Sequence, residues 1–175
     1  MKHEKTATFR PSMSAKTYSF SYERHPDDQT LQPADLELLQ KARDITRKAY
    51  APYSRFCVGA AATLQNGKII YGTNQENAAY PVGICAERVL LSVAAMEHTD
   101  IPVLTMAVSY YNQANPESGN HPISPCGMCR QYIAEYEQRT AHPIRLILSG
   151  MEGEVYVVEK ASQLLPFRFG SEDLG

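Results

Sequence analysis

The sequence lacks the features that define several large classes of protein. None of its apolar runs approaches the roughly 18 residues that a membrane-spanning helix needs. Its 17 Lys and Arg residues are balanced by 19 Asp and Glu residues, and no basic stripe follows the chain, which disfavours binding to nucleic-acid backbones. The polar first ten residues lack the apolar core of a signal peptide. We therefore expect a cytoplasmic protein that binds neither membranes nor nucleic-acid polymers.

Cysteine is scarce as well. The chain has four cysteines in 175 residues, and three of them lie in two short motifs. A disulfide framework is typical of small secreted chains that are dense in cysteine. Few and clustered cysteines instead indicate metal binding or catalysis.

The length and the 43% hydrophobic content suit one globular domain with a single core. Residues 1–34 show no helical period, and only Tyr18, Phe20 and Tyr22 alternate. These residues are predicted to form an extension, either poorly structured or including a short strand laid on a sheet edge or on a neighbouring chain. Residues 35–175 are predicted to form the catalytic domain.

Helix and strand patterns follow one another from Pro33 onwards. Apolar residues at helical spacing predict a first helix from Pro33 to about Tyr50. The Asn66-Gly67 turn lies between two strand-like runs and predicts a β-hairpin. Two more helices are predicted at 85–97 and 125–136, and five strands at 57–64, 68–74, 103–110, 144–150 and 154–160. This order predicts an α/β fold with three layers, α/β/α, around a mixed five-stranded sheet.

Three of the cysteines have the spacing of a metal site. Cys126 and Cys129 are three residues apart at the predicted start of a helix, so their sulfurs lie on one face, a spacing that suits zinc. Cys85, at the start of another helix, can be the third ligand. Helix N-termini carry partial positive charge, which lowers thiol pKa values and favours metal binding. Three protein ligands leave one tetrahedral position open, as is typical of catalytic zinc sites.

Glu87 lies two residues after Cys85 and can border the same open position. A carboxylate there can take the proton of an activated water molecule and carry it to a substrate atom. Taken alone, Glu87 would be an ordinary first-turn acid, but its neighbours favour the catalytic role. Cys57 follows Phe56 on a strand and points to the opposite face, so we predict a small core residue. The five histidines, including His121 near the second motif, have no ligand spacing.

These motifs resemble those of the cytidine deaminases, in particular the small homotetrameric type with three cysteine ligands that acts on free nucleosides. The segments that carry the resemblance are YSRFCVGAA, GTNQENAAYPVGICAER, SPCGMCRQ and LLPFRFGSEDL, and it spans about residues 36–174. It implies one Zn²⁺ per chain on Cys85, Cys126 and Cys129. It also implies hydrolytic deamination of cytidine and 2′-deoxycytidine to uridine and 2′-deoxyuridine plus ammonia, a reaction of pyrimidine salvage, with Glu87 carrying the proton.

The resemblance also assigns substrate contacts. Asn74 and Glu76 would hydrogen-bond the ribose hydroxyls. The other implied contacts are Phe56 against the nucleoside, the N–H of Ala86 at the O2 edge of cytosine, and Tyr80 and Phe169 from neighbouring subunits, with Phe169 stacked on the base. Arg88 would donate to the thiolates and offset the formal charge of -1 that three thiolates give the metal centre.

Two alternatives remain at this stage. A non-catalytic, zinc-stabilised binding module would need a fourth protein ligand, and Cys57 is the one cysteine left for it. Within the enzymes, a polynucleotide or a nucleoside-like antibiotic could be the substrate. The near-neutral charge opposes the polynucleotide, and the Asn74–Glu76 segment opposes a substrate without ribose. Cytidine and 2′-deoxycytidine stay equal candidates because the proposed ribose contacts need not involve the 2′-hydroxyl.

Overall fold

A computed structural model of the chain describes residues 14–175. The first part of the predicted extension, residues 1–13, lies outside the described residues. The strands are β1 (Glu23–His25), β2 (Phe56–Leu64), β3 (Ile69–Thr73), β4 (Val103–Asn112), β5 (Arg145–Ser149) and β6 (Val155–Val158). The helices are α1 (Pro33–Ile45), α2 (Ala86–Glu97) and α3 (Gly127–Thr140), and short 3₁₀ turns lie between several of these elements.

The strands form one mixed sheet in the order β1-β6-β5-β4-β2-β3. The β4–β5 pair is parallel, and the other pairs are antiparallel. The mixed sheet was predicted, but the count of five strands was wrong by one. The sixth, β1, pairs Glu23 with Val157 and His25 with Val155 on the edge of β6. A strand of three residues is too short for a period-two pattern to reveal it.

Alternation along the central strands separates two apolar layers. Ala60 and Ala62 of β2 pack in the cluster that contains the buried faces of α2 and α3. Ala61, between them, packs instead with Leu39 and Ala42 of α1. Successive side chains of a strand point to opposite faces of the sheet, so α1 covers one face and α2 and α3 cover the other. The predicted three-layer α/β/α fold is therefore confirmed.

Most element boundaries follow the predicted ones. Gly67 has a φ of +80°, as the turn of the β2–β3 hairpin requires. The first helix is shorter than predicted, since α1 ends at Ile45 instead of near Tyr50. The hydroxyl of Thr46 donates to the carbonyl of Arg43 at 2.7 Å, and the chain continues as a 3₁₀ turn. A 3₁₀ turn is a common way for a helix to end.

Two glycines let helices approach the sheet closely. A Cβ atom on Gly72 of β3 would lie 2.6 Å from the backbone nitrogen of Leu90 and would also collide with the carbonyl oxygen of Ala86. A Cβ atom on Gly59 of β2 would lie 2.7 Å from the Ile45 side chain. Gly72 thus sets the depth at which the first turn of α2 rests on the sheet.

Residues 14–34 are mostly exposed but contact the rest of the fold at several points. The hydroxyl of Tyr18 donates to the carbonyl of Gln163 at 2.7 Å, Leu31 is buried among the residues around α1, and Asp28 pairs with Arg43. The proposed boundary at residue 34 stays a prediction. Among residues 14–175, no helix is long and apolar enough to cross a membrane.

Candidate active site

Three thiols meet where two helices begin. Cys85 is the residue before α2, Cys126 is the residue before α3, and Cys129 lies in the first turn of α3. The sulfurs of Cys85 and Cys126 are 3.8 Å apart, and those of Cys126 and Cys129 are 3.5 Å apart. All three sulfurs lie within 4.8 Å of one another, and none is in a disulfide.

This geometry fits zinc. Sulfurs about 2.3 Å from a tetrahedral Zn²⁺ are separated from one another by about 3.8 Å, close to the distances found. No fourth His, Cys, Asp or Glu of residues 14–175 belongs to the cluster. Cys57 is buried on β2 and lies outside the cluster, as predicted for a core residue. It supplies no fourth ligand for the alternative of a closed structural site.

The thiols of the cluster differ strongly in acidity. A hydrogen bond from Cys129 is the main reason that the pKa of Cys85 is lowered to about 6, and a hydrogen bond from Cys126 and the charge of Arg88 lower it further. Burial and the charge of Glu87 act in the opposite direction. The pKa of Cys129 is raised by its hydrogen bond to Cys85 and by burial. A thiolate on Cys85 is therefore favoured before any metal binds, which suits a metal ligand.

Glu87 lies in the first turn of α2 and is 5% exposed. Burial raises the pKa of its carboxyl, although hydrogen bonds from its own backbone N–H and from Cys129 oppose this. The carboxyl also influences the pKa values of Cys85 and Cys129, so it lies beside the thiol cluster. A carboxyl whose pKa is moved towards neutrality can both accept and return a proton.

A groove of about 260 Å³ leads away from Cys85. Its lining consists of Asn74, Gln75, Glu76, Asn77, Tyr80, Gly83, Ile84, Cys85 and Met128. The two predicted ribose contacts, Asn74 and Glu76, therefore share one groove with the predicted metal ligand Cys85, and Tyr80, which was predicted to act on a neighbouring subunit, lines the same groove. Met128 also lines the groove, although it was not predicted as a site residue. It lies between Cys126 and Cys129 on the first turn of α3 and is 63% exposed. The spacing of the ligands alone could have indicated it.

Two of the polar side chains of the groove, those of Asn74 and Glu76, are anchored by neighbouring backbone. Asn74 accepts from the N–H of Val58 at 2.7 Å and donates to the carbonyl of Phe56 at 2.9 Å. Glu76 accepts from the N–H groups of residues 53 and 54 at 2.9 and 3.2 Å. Burial raises the pKa of Glu76, but these bonds and the Ser54 hydroxyl outweigh it, so the pKa is lowered. Each side chain keeps further hydrogen-bonding capacity for a ligand.

Phe56 lies outside the groove lining and stacks on Tyr110, with ring centroids 4.7 Å apart and planes 18° apart. The Tyr110 hydroxyl donates to the carbonyl of Ser118 at 2.8 Å and lies 3.2 Å from Nδ1 of His121. The loop between β4 and α3 therefore braces Phe56. His121 has this structural contact and is not part of the thiol cluster.

Ala86 and Arg88 flank Glu87 on α2. Ala86 is buried and opens the helix, so its N–H has no partner within the helix and can donate to a ligand. Arg88 lines a second depression together with Gly127, Met128, Gln131, Tyr132 and Glu135. No hydrogen bond from Arg88 to a thiol is present in residues 14–175; its charge nevertheless lowers the pKa of Cys85.

Two predicted aromatic contacts project from the chain. Tyr80 is 77% exposed and lines the groove. Phe169 is 58% exposed and does not line it. The backbone carbonyl of Phe169 accepts from Nε2 of Gln131 at 2.7 Å. Within one chain, the structure therefore brings Tyr80 to the site and leaves Phe169 outside it.

Three thiols and a buried carboxyl at paired helix starts, on a three-layer α/β/α fold, define the class of zinc-dependent hydrolases that deaminate nucleobases. Comparison with known proteins is more specific, because residues 33–142 match the family model described as the cytidine and deoxycytidylate deaminase zinc-binding region. The chain therefore belongs to the cytidine deaminase family, and zinc is its cofactor.

Relatives and solved structures agree with this assignment. A cytidine deaminase of Halalkalibacterium halodurans is 34% identical over 138 residues, which are 78% of this chain and 95% of the relative. The crystal structure of a cytidine deaminase from Burkholderia pseudomallei is 37% identical, with a TM-score of 0.64, over 76% of this chain and 97% of that chain. One from Mycobacterium tuberculosis is 28% identical, with a TM-score of 0.55, over 77% and 95%.

Proposed function

We propose that the chain catalyses the hydrolytic deamination of cytidine and 2′-deoxycytidine, giving uridine and 2′-deoxyuridine plus ammonia, as a step of pyrimidine salvage. The observation that carries this proposal is the spacing of three sulfurs that suits zinc, beside a buried Glu87 and at the end of a groove. The names of the relatives from several bacteria support the substrate class.

Cys85, Cys126 and Cys129 are the proposed ligands of one Zn²⁺ per chain. When bound, zinc supplies a Lewis acid that makes a water molecule nucleophilic near neutral pH. Glu87 accepts the proton of the water that attacks C4 of cytosine, delivers a proton to N3, and then assists the amino group to leave as ammonia. Its burial supports this role, since the raised pKa lowers the cost of holding the proton between the two transfers.

Asn74 and Glu76 are the proposed ribose contacts. Both line the groove, and their bonds to neighbouring backbone fix the side chains before a ligand arrives, which reduces the entropy lost on binding. Phe56, braced by Tyr110, is the proposed apolar contact to the nucleoside. The free N–H of Ala86 at the start of α2 is the proposed donor to O2 of cytosine.

Arg88 is the proposed partner of the thiolates. Three thiolates and Zn²⁺ carry a formal charge of -1, and a nearby guanidinium offsets it. The effect of Arg88 on the pKa of Cys85 supports this role.

The proposed assembly is a homotetramer with composite active sites. Tyr80 and Phe169 are aromatic, exposed and near the groove or the helix that carries two ligands. An exposed ring of this kind can complete a site on a neighbouring copy, and stacking of a base on it is worth about 1–3 kcal/mol. Closed symmetric oligomers are the common way for identical chains to share such surfaces.

An ultraviolet assay of cytidine and 2′-deoxycytidine with purified, zinc-loaded protein tests the proposal. We expect both nucleosides to be converted, and a strong chelator to abolish turnover until zinc is restored. Cytidine 5′-phosphate and cytosine serve as controls for the ribose contacts. Absence of turnover on both nucleosides, with one zinc per chain measured in the same sample, would overturn the proposed activity.

A further inference from the structure

Helix α3 holds a second functional element besides two of the proposed metal ligands. The final part of the chain, residues 164–173, runs along it and is called here the C-terminal segment. Arg130 donates to the carbonyl of Leu164 at 3.0 Å, and Gln131 donates to the carbonyl of Phe169 at 2.7 Å. Gln138 donates to Ser171 and Glu172 at 2.9 and 2.8 Å. Side chains of α3 thus hold the C-terminal segment at three points.

The spacing of these contacts follows helical geometry. Gln131 and Gln138 are seven residues apart, so they lie on the same face of α3 and about 10 Å apart along its axis. Gln131 is also only two residues after Cys129. The same helix therefore fixes the position of the Phe169 backbone relative to Cys126 and Cys129.

Phe169 itself is held by its backbone and not by its ring. The bond from Gln131 is the one hydrogen bond to Phe169 found in residues 14–175. Directly after Phe169, the N–H of Gly170 donates to the side chain of Asp173 at 2.9 Å and caps a short 3₁₀ turn. The ring of Phe169 stays 58% exposed. The backbone is fixed while the aromatic face is free to meet another molecule.

We propose that Gln131 is a positioning residue, which sets the location of Phe169 through its carbonyl and thereby the affinity for the nucleoside. The inference rests on the proposed function of Phe169 as the ring that stacks on the base. Because that ring serves a neighbouring subunit, Gln131 acts on the site of the neighbour and not on the site of its own chain, although it lies next to its own Cys129.

Single and double variants test the link between the two residues. Gln131→Ala removes the donor, and Gln131→Glu keeps the shape but offers no donor at neutral pH. We expect both to raise KM about 2- to 10-fold, as for the loss of one hydrogen bond, with kcat and zinc content unchanged. Phe169→Ala should raise KM about 5- to 150-fold. The double variant Gln131→Ala/Phe169→Ala should be no worse than Phe169→Ala.

Glu135→Ala is the matched control, since Glu135 is exposed one turn further along α3 and its side chain makes no hydrogen bond within residues 14–175. Its KM should equal that of the unaltered chain. If Phe169→Ala raises KM but Gln131→Ala does not, or if the two effects multiply in the double variant, the inference is wrong and the proposed function stands. If Phe169→Ala leaves KM unchanged, the proposed role of Phe169 fails and the inference fails with it.

Mixed oligomers test the direction of the effect. Chains with Glu87→Gln are combined with chains carrying Gln131→Ala, so that every competent Glu87 lies on a Gln131→Ala chain. A site that borrows Phe169 from a Glu87→Gln chain then has a correctly held ring, and KM should fall towards the unaltered value. A parallel mixture, in which chains with Phe169→Ala replace those with Gln131→Ala, is the reference. Recovery with Phe169→Ala but none with Gln131→Ala would mean that Gln131 acts within its own site, which overturns the proposal.

Discussion

At the scale of single residues, the chemistry of this chain depends on where helices begin. Cys85 and Cys126 each precede the first residue of a helix, and no side chain caps either of these helix starts. The unpaired N–H groups and the partial positive charge there favour thiolates. Two helix starts that meet therefore favour metal binding by thiols that would be inert in an apolar core.

The cysteines can be tested by their metal content. Cys129→Ala should reduce bound zinc to well below one per chain, because two thiolates remain and bind far more weakly than three. Zinc is measured by plasma emission after gel filtration. Cys57→Ala, in the buried core and outside the cluster, is the control and should keep its zinc. Equal zinc in the two variants would contradict the ligand assignment.

Glu87 can be tested separately from the metal. Glu87→Gln keeps the size of the side chain but removes the proton acceptor, so kcat should fall about 10²–10⁴-fold while zinc content stays the same. Glu97→Gln, at the exposed end of the same helix, should be as active as the unaltered chain. A Glu87→Gln variant with nearly full activity would exclude the proton-transfer role.

The sequence was informative about these residues because ligand spacing is a local property. Cysteines three apart at a helix start lie on one face of the helix, and no tertiary information is needed to see it. The side chain of Asn74 is different. Its bonds to Phe56 and Val58 depend on how two strands pair, which a single sequence does not specify.

At the scale of elements, Gly72 determines how deep the start of α2 lies on β3. We expect Gly72→Ala to displace the first turn of α2, because the added Cβ meets the backbone of Ala86 and Leu90. Overpacking of this kind costs about 1–3 kcal/mol, and the shift moves Cys85 and Glu87 together. Zinc affinity and kcat/KM should both fall at least about tenfold, since misplacement of reacting groups by about 1 Å can cost about 10²-fold.

Gly127→Ala is the control for this substitution. Gly127 opens α3 beside Cys126, and nothing lies within 4 Å of the Cβ that alanine would add there. This variant should bind zinc as the unaltered chain does, in a competition titration with a chromophoric chelator. Equal zinc affinity in Gly72→Ala would show that α2 does not depend on this contact.

The first strand can be removed without touching the site. Deletion of residues 1–27 removes β1 and keeps Asp28, the partner of Arg43. Each lost ladder hydrogen bond contributes about 0.5–1.5 kcal/mol, and about 1 kcal/mol changes Tm by about 2–4 °C in a chain of this size. Calorimetry should show a Tm several degrees lower, with KM and kcat unchanged.

Arg24→Ala is the matched control for this deletion, since it removes only the ion pair between Arg24 and Glu154. The Arg24 side chain in this pair is 63% exposed. Exposed pairs contribute about 0–1 kcal/mol, so Tm should change by far less. An unchanged Tm after the deletion would mean that β1 adds nothing to stability.

Long elements were predicted more accurately from the sequence than short ones. The β2–β3 hairpin and the helices α2 and α3 have clear patterns and turn residues, and they were predicted nearly in full. β1 has three residues, and it is a strand because β6 offers it an edge. That reason lies in the assembled sheet and not in the local pattern.

At the scale of the whole molecule, the site is open on one side. The groove next to Cys85 ends in exposed side chains, Tyr80 and Met128, and Phe169 stands outside it. A single chain would therefore leave a bound base partly in water. The resemblance of the sequence predicts Phe169 of a neighbouring subunit as the cover, and this stays a prediction.

Dilution tests the proposed assembly. Sedimentation should give a tetramer at micromolar concentrations, and activity per chain should fall at dilutions where the tetramer dissociates, because Phe169 is then lost from every site. Zinc per chain should stay constant over the same range, which separates loss of the partner from loss of the metal. A sedimenting monomer with full activity would contradict composite sites.

The pairing of β1 with β6 also determines when β1 can join the sheet while the chain is being synthesised. Arg24 and Glu154, which meet across this pair, are 130 residues apart. Chains leave the ribosome at about 5–20 residues per second, so β1 waits roughly 6–26 s before its partner strand exists. Contacts between such distant segments also form slowly because of the loop that must close. The sheet can thus grow from its β3 edge, where the β2–β3 hairpin is made first, through β4, β5 and β6 in turn, and β1 joins last although it is synthesised first.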